Sequence, residues 1–505
     1  KERMQALRDN NQEKFIGAYV KEPIVGKYDW IYDLDLTSLY PSIIMTLNIS
    51  PETKIGKISN WDAEQYIKGE EITYKLKGKD GDEYEYNRQE LADVIKDSNL
   101  GVAANGVLYM QDKPGLIADI LNTWFNKRVE YRKLEKKYGE EKNTELYEFY
   151  GKRQHVQKIL LNSMYGVLGL PAFRFYDVDN AEAVTLTGQV VIKKTAEMAN
   201  RKYWKELGTT DDYNVYIDTD SIYMMAEPLV KHRYPDYKTF DEKRMAVEVD
   251  NIATETQTFL NSFYDLLAER FFFIPKDKHR FEIKKEYISK AGFWVAKKRY
   301  AQWMILKNGI PCDKLDVKGL DVVRSSFPKA FQKFMSTMLK DILMGKDHDY
   351  IDDTLLTFKK SLPTLPVNTI AKGGALKELS KYDKGNWKSG DAVANFEKGT
   401  PAHVKAGITY NRLLKFFNCP YKHEPIRDGD KVKWVYLKDN PLGLETVAFK
   451  DYNDPKEIMD FVETYVDRNK IFEAELENKL DDFYNALKWD KVTADTKTAK
   501  KFFAF

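Results

Sequence analysis

The chain has 505 residues, 43% hydrophobic and 31% charged, with a net charge of +2. That length suggests roughly three domains with sizeable cores, and no apolar run is long enough to cross a membrane. A charge so near neutral does not by itself mark a nucleic-acid binder, so any basic surface must come from local segregation.

The segment Lys1 to Phe15 is polar rather than signal-like. Trp30 to Leu36 reads as a strand. Trp30, Tyr32, Leu34 and Leu36 alternate onto one face, and Ile31, Asp33 and Asp35 onto the other. Pro41 then suits the first turn of a helix. Residues 55 to 100 read as a polar, irregular insertion. From about Asp119 to Tyr138 the spacing of Leu121, Trp124, Phe125 and Val129 predicts a helix, followed by a charged turn near Gly139 to Asn143. A second helix runs from about Glu145 to Tyr165, so the pair forms a helical hairpin inserted in a mixed domain. Val215 to Met225 predicts a β-hairpin whose tight turn contains Asp218-Thr219-Asp220. A helix follows from about Glu242 to Phe271, and Phe281 to Ile288 and Phe293 to Leu306 are strand-like. Beyond Pro328 the chain reads as mostly helical, with a boundary near residue 320. Cys312 and Cys419 have no ligand-like spacing, which fits a reducing compartment rather than a disulfide scaffold or zinc site. The six histidines form no HExxH-type pattern.

Two acidic motifs carry most of the chemistry. One is Asp33-Leu34-Asp35-Leu36-Thr37-Ser38-Leu39-Tyr40-Pro41-Ser42-Ile43-Ile44, the other Tyr216-Ile217-Asp218-Thr219-Asp220-Ser221. Each ends an apolar run in a carboxylate, which is costly unless a metal or partner meets it. An Asp-x-Asp turn alone is common; two such motifs converging on one sheet is what two-metal phosphoryl or nucleotidyl transfer needs. Mg²⁺ takes oxygen ligands and keeps substrate phosphates in its shell, so few protein ligands suffice. Asp35 and Asp220 are the candidate bridging ligands, with Asp218 in support. Asp33 receives no role.

On the hairpin, Arg128 and Arg132 share one helix face, and Lys158, Asn162, Tyr165 and Gly166 share another. Two cationic stripes can grip a triphosphate and stabilise its transition state; the alternative is a solvated face. Tyr40 is either a ring beneath the sugar of an incoming nucleotide or an ordinary core tyrosine. Lys284-Lys285-Glu286-Tyr287, Lys297-Lys298-Arg299-Tyr300 and the stretch from Lys398 to Lys405 interleave basic and aromatic residues. They suit phosphate contacts or simple solvation. The tail Lys500-Lys501-Phe502-Phe503-Ala504-Phe505 suits either self-docking or a linear partner motif.

Together these residues resemble the B-family DNA polymerases. DLTSLYPSII is similar to the family's motif A, KILLNSMYG to motif B, YIDTDS to motif C and KKRY to its lysine–tyrosine motif, in the family's order. The variants are close to those of T-even-type phage replicative polymerases. So are Asn48-Ile49-Ser50-Pro51-Glu52-Thr53, Gly292-Phe293-Trp294 and Thr409-Tyr410-Asn411-Arg412.

The resemblance implies an α+β right-hand polymerase. Its palm would be an antiparallel sheet plus helices, its fingers a helical hairpin and its thumb mostly helical. The expected parts are palm over 1–117 with the insertion at about 55–100, fingers over 118–169, palm again over 170–320 and thumb over 321–505. It implies Asp35, Asp220 and the less critical Asp218 as catalytic residues, with Asp35, Asp220 and the Leu36 carbonyl as ligands of two Mg²⁺, which Mn²⁺ can replace. Ser38, Leu39, Tyr40, Arg128, Arg132, Lys158 and Asn162 would bind the nucleotide, Tyr40 as sugar gate, and Tyr165 and Gly166 would line the base-pair pocket. Glu286, Lys297, Lys298, Tyr300, His403 and Lys405 would meet DNA. Phe502, Phe503 and Phe505 would bind a sliding clamp, which keeps the enzyme at high effective concentration on DNA.

The implied function is template-directed DNA synthesis in phage-type replication, on primer–template DNA and dNTPs, in the cytoplasm of an infected bacterial host, with no membrane. The alternatives are an inactive DNA- and clamp-binding scaffold, or an RNA-synthesising or reverse-transcribing polymerase. The chain begins 34 residues before Asp35, leaving no room for the family's 3′–5′ exonuclease domain. A polymerase-only chain, a fragment or one part of a split polymerase is therefore expected, with a separate exonuclease chain as a candidate partner. Arg132 and Lys158 are close in sequence, so the fingers are expected to be shorter than in the T-even type.

Overall fold

The computed structural model describes residues 16–79, 81–384, 396–419 and 423–490. The expected clamp-binding residues Phe502, Phe503 and Phe505 lie outside them. The chain divides into two units, one of residues up to 24 with 29–290 and 305–312, the other of 25–28, 291–304 and 313 onward. Helices and antiparallel sheets give an α+β architecture.

In the first unit, strand β1 (Gly26–Leu36) leads through Ser38 into helix α1 (Leu39–Leu47). The alternation in β1 is real, but both faces are covered: Ile31 and Asp33 are as deeply buried as Tyr32 and Leu34. Helix α1 buries Leu39, Pro41, Ile43, Ile44 and Leu47, and Asn48 ends it in the left-handed region at φ 57°.

Residues 55 to 100 are not irregular. Strands β2 (Lys54–Ile58), β3 (Tyr74–Gly78), β4 (Glu83–Tyr86), β5 (Leu100–Val102) and β6 (Val107–Met110) form a five-stranded sheet in the order β4-β3-β2-β6-β5. Helices α2 (Ala63–Lys68) and α3 (Arg88–Asp97) accompany it. The strands are short; β5 and β6 are covered on both faces, but the outer strands β3 and β4 are largely wet. In β3, Tyr74 is buried while Lys75 and Lys77 face solvent. Polar residues therefore outnumber apolar ones and the period-2 signal fades. Ile58, Tyr66, Tyr74, Leu91, Ile95 and Leu108 make its core.

Helix α4 (Leu116–Glu140) and helix α5 (Thr144–Leu168) form the hairpin. Sequence spacing did not single out the 30-residue helix α6 (Val178–Leu207) that follows. It packs within the same core as α1 and the β1 strand. Asp177 caps its start by accepting from the Asn180 N–H. Lys54 pairs with Asp177 and Asp179 at 2.9 Å, and Lys57 with Asp179 at 2.8 Å, tying α6 to β2. One residue of α6 works against the helix. Gly188 sits buried at its middle, where glycine costs about 1 kcal/mol relative to alanine.

Strands β7 (Asn214–Asp218) and β8 (Ser221–Met225) form the expected hairpin. Helices α7 (Glu227–Arg233) and α8 (Glu242–Phe272) lead to strand β9 (Ile283–Ala296). Strands β10 (Arg299–Lys307) and β11 (Ile310–Lys318) complete a six-stranded sheet in the order β11-β10-β9-β1-β8-β7. The edge strand β7 is covered by the segment before β1: the Lys21 N–H donates to the Ile217 carbonyl at 3.1 Å and the Ile24 N–H to Val215 at 2.9 Å.

β9 runs through the expected break at 289–292. Its Gly292 leaves room that the Trp294 ring fills, since a Cβ there would lie 2.3 Å from that ring. The real turn comes at Lys297 and Lys298, with Lys298 left-handed at φ 58°. Gly319, at φ 64°, lies against it: a Cβ would stand 1.8 Å from the Lys298 carbonyl oxygen, so no side chain fits.

In the second unit, helices α9 (Lys329–Leu343), α10 (His348–Ser361) and α11 (Ala402–Phe416) pack around Phe331, Met338, Ile408 and Tyr410. The stretch beyond Pro328 is not helical alone. Strands β12 (Lys372–Ala375), β13 (Lys431–Tyr436) and β14 (Thr446–Phe449) add a three-stranded antiparallel sheet.

Candidate active site

The two acidic motifs meet where β1 pairs antiparallel with β8. Asp35 stands opposite Ser221 in register. The Ser221 hydroxyl donates to Asp35 Oδ2 at 2.8 Å, and the Leu36 N–H to the Asp220 carbonyl at 2.8 Å. The β7–β8 turn is only Thr219 and Asp220. Thr219 takes φ 62°, unusual for a β-branched residue, and its hydroxyl donates to Asp218 Oδ1 at 3.1 Å. The structure thus brings Asp35, Asp218 and Asp220 to one end of three adjoining strands.

Burial and mutual repulsion raise these acids. The Asp35 carboxyl is pushed up to about 7, first by burial, then by the Asp220 charge, against the Ser221 hydrogen bond. Asp220 is pushed up to about 6 by burial, with Asp218 and Glu286 adding to it. The Lys158 ammonium works in the opposite direction on both. Two hard oxygen donors in a negative field suit a divalent cation. Among the described residues no three or more His, Cys, Asp or Glu side chains are arranged to hold one ion. The pair therefore fits a cation that takes the rest of its shell from phosphate oxygens and water.

Asp33 is a residue that sequence reasoning left without a role. It is buried, and its Oδ1 accepts the Tyr287 N–H. Burial and the neighbouring Glu286 hold its carboxyl well above the usual carboxylate range. It links β1 to the part of β9 that carries Glu286. The signal was its position two residues before Asp35, on the same strand face. Ser221 was likewise passed over, although it follows Asp220 directly.

Cations come from the hairpin. Arg128 Nη1 donates to the Ser38 hydroxyl at 3.3 Å, and Ser38 sits at φ 50° just before α1. Its Nε is buried without an acceptor among the described residues. Burial, then Arg132, lowers its pKa. A half-buried guanidinium with an open donor asks for an anion. Arg132, Lys158 and Asn162 are exposed, and Gly166 opens onto empty space, with no atom within 4 Å of where a Cβ would be. Tyr40 and Tyr165 pack against each other with centroids 4.5 Å apart. Leu39 buries its side chain in the core, so only its backbone is available to a ligand.

The second unit carries the remaining expected residues. Lys297 and Lys298 are exposed at the β9–β10 turn, while Tyr300 is buried and stacked on Trp294 at 5.9 Å. His403 opens α11 beside Gly374, and burial with the nearby Lys372 lowers its pKa. Lys405 pairs with Glu445 at 3.2 Å.

Residues 3–233, which hold both acidic motifs and the hairpin, match the model of DNA polymerase family B. This part of the chain is similar to DNA polymerase family B. The similarity to family relatives runs further. The DNA-directed DNA polymerase of Enterobacteria phage T4 is 27% identical over 92% of this chain and 54% of its own length. That of Escherichia phage RB69 is 26% identical over 96% of this chain and 56% of its own. DNA polymerase 1 of Pyrococcus abyssi is 25% identical over 92% and 47%. The chain thus spans about half the length of the curated relatives it matches. No described helix is long and apolar enough to cross a membrane.

Proposed function

We propose that this chain performs template-directed DNA synthesis, extending a primer 5′ to 3′ by nucleotidyl transfer. The observation that carries it is the meeting of Asp35 and Asp220 on paired strands, with Lys158 felt by both. Residues 1–117 and 170–320 serve as palm, 118–169 as fingers and 321–505 as thumb.

Asp35, Asp220 and the Leu36 carbonyl would hold two Mg²⁺, and the chemistry such ions would supply there is Lewis acidity towards the primer 3′-hydroxyl and charge neutralisation at the pyrophosphate. The chain's own groups do the rest. Ser221 fixes the Asp35 carboxylate through its 2.8 Å hydrogen bond, and Asp33 holds the Glu286 strand in place. Arg128, Arg132 and Lys158 bind the triphosphate and balance its charge. Asn162, Tyr165 and Gly166 border the base pair. Tyr40, braced by Tyr165, lies under the sugar and excludes a 2′-hydroxyl. Lys297, Lys298, His403 and Lys405 grip primer and template, largely through phosphates, while Tyr300, buried on Trp294, supports the strand beside the two lysines instead of meeting DNA. A sliding clamp at the Phe502–Phe505 tail and a separate proofreading exonuclease are the proposed protein partners.

Primer extension with Mg²⁺ tests this directly. Full extension with dNTPs and little with rNTPs is expected. No extension at all supports the scaffold alternative, and preferential use of rNTPs supports an RNA polymerase.

A further inference from the structure

Gly188 lies in the interior of α6, where the helix would be more stable with alanine. Its surroundings explain why alanine is absent. A Cβ at Gly188 would stand 3.0 Å from Tyr40 Cε1, 3.5 Å from Ile43 Cδ1 and 3.6 Å from Leu39 Cδ2. The last two are ordinary contacts; among the described residues the ring is the only neighbour that would have to give way. Tyr165 packs on that same ring at 4.5 Å, so the Tyr40 side chain is seated between α6 and the hairpin helix α5.

We propose that Gly188 is a specificity-determining position: its missing side chain sets the depth at which the Tyr40 ring sits, and so the room left for a deoxyribose. This rests on the assignment of Tyr40 as sugar gate. A methyl at 188 pushes the ring off α6 by a few tenths of an ångström, and the ring takes up volume otherwise left to the sugar. Gly188 touches no substrate; it acts through Tyr40.

The test uses Gly188→Ala, Tyr40→Ala and the double variant in the full chain, with steady-state dNTP and rNTP incorporation and thermal melting. Lost room beneath the sugar weakens ground-state and transition-state binding alike, so the dNTP KM is expected to rise roughly threefold to tenfold. kcat should hold nearly constant, and rNTP use should fall further still. Melting should be unchanged or higher, because alanine favours the helix. On the Tyr40→Ala background, where the ring is gone, Gly188→Ala should change neither KM nor selectivity. If Tyr40→Ala relaxes sugar selectivity but Gly188→Ala leaves KM and selectivity as in wild type, the role of Gly188 fails and the gate stands. If Tyr40→Ala itself leaves selectivity unchanged, the gate assignment fails and the role of Gly188 with it. An effect of Gly188→Ala that persists without the ring, or that comes with a lowered melting temperature, points to helix packing and overturns the inference.

Discussion

Asp220→Asn is expected to slow single-turnover primer extension by about 10³–10⁴-fold, the loss of several kcal/mol of transition-state stabilisation when the proposed metal ligand goes. Asparagine keeps the shape of the side chain and the turn, so the Leu36 N–H bond to the residue 220 carbonyl survives. Primer–template affinity should change less than about twofold, because it comes from phosphate contacts elsewhere. Asp35→Asn should behave alike, whereas Asp218→Asn should cost far less, since Asp218 adds to the field on Asp220 but is not assigned as a ligand. Extension by Asp220→Asn within tenfold of wild type removes Asp220 from the chemistry.

Without a cation, the same acids should make the protein less stable as pH rises. Asp35 and Asp220 bind protons more tightly folded, at about 7 and about 6, than at the unfolded value of 3.8. Between about pH 4 and 7 the folded state therefore holds more protons than the unfolded one. The stabilising effect of those protons is full below pH 4 and is lost as pH climbs through the folded values. A divalent cation offsets the repulsion only when the protons are gone. Mg²⁺ is therefore expected to raise Tm by about 2–4 °C or more at pH 8 and hardly at all at pH 5. EDTA should reverse the gain. The Asp35→Asn, Asp220→Asn double variant should show no Mg²⁺ effect at either pH and should be more stable than cation-free wild type at pH 8. Equal Mg²⁺ shifts at pH 5 and pH 8 would mean that the ion binds elsewhere.

Much of this site can be read from residue order because its motifs are local. β1, the β7–β8 hairpin and the α4–α5 pair each declare themselves through apolar period and turn residues within a dozen positions. What the residues conceal is long-range or costly to the backbone. Asp33 looks like a spare acid until the Tyr287 N–H, 254 positions away, reaches it. Gly188 looks like a flaw in a helix until the Tyr40 ring lies against it. The outer strands β3 and β4 hide because their wet positions are filled with Lys, Glu and Tyr, and β5 and β6 hide because they are only three and four residues long. The unbroken β9 hides because Gly292, a strand breaker by propensity, makes space for Trp294.

The short stretch ahead of β1 has a consequence outside catalysis. β7 ends the six-stranded sheet, and its outer amides and carbonyls are met by residues 19–24: Thr219 donates to the Tyr19 carbonyl at 3.0 Å, and Val20 bridges Asp218. A bare sheet edge is a template for strand-to-strand self-association. The segment that steadies the acidic turn thus also keeps one molecule from pairing with the next. Fragments cut just before β1 would leave that edge sticky, and solubility would fail before chemistry did.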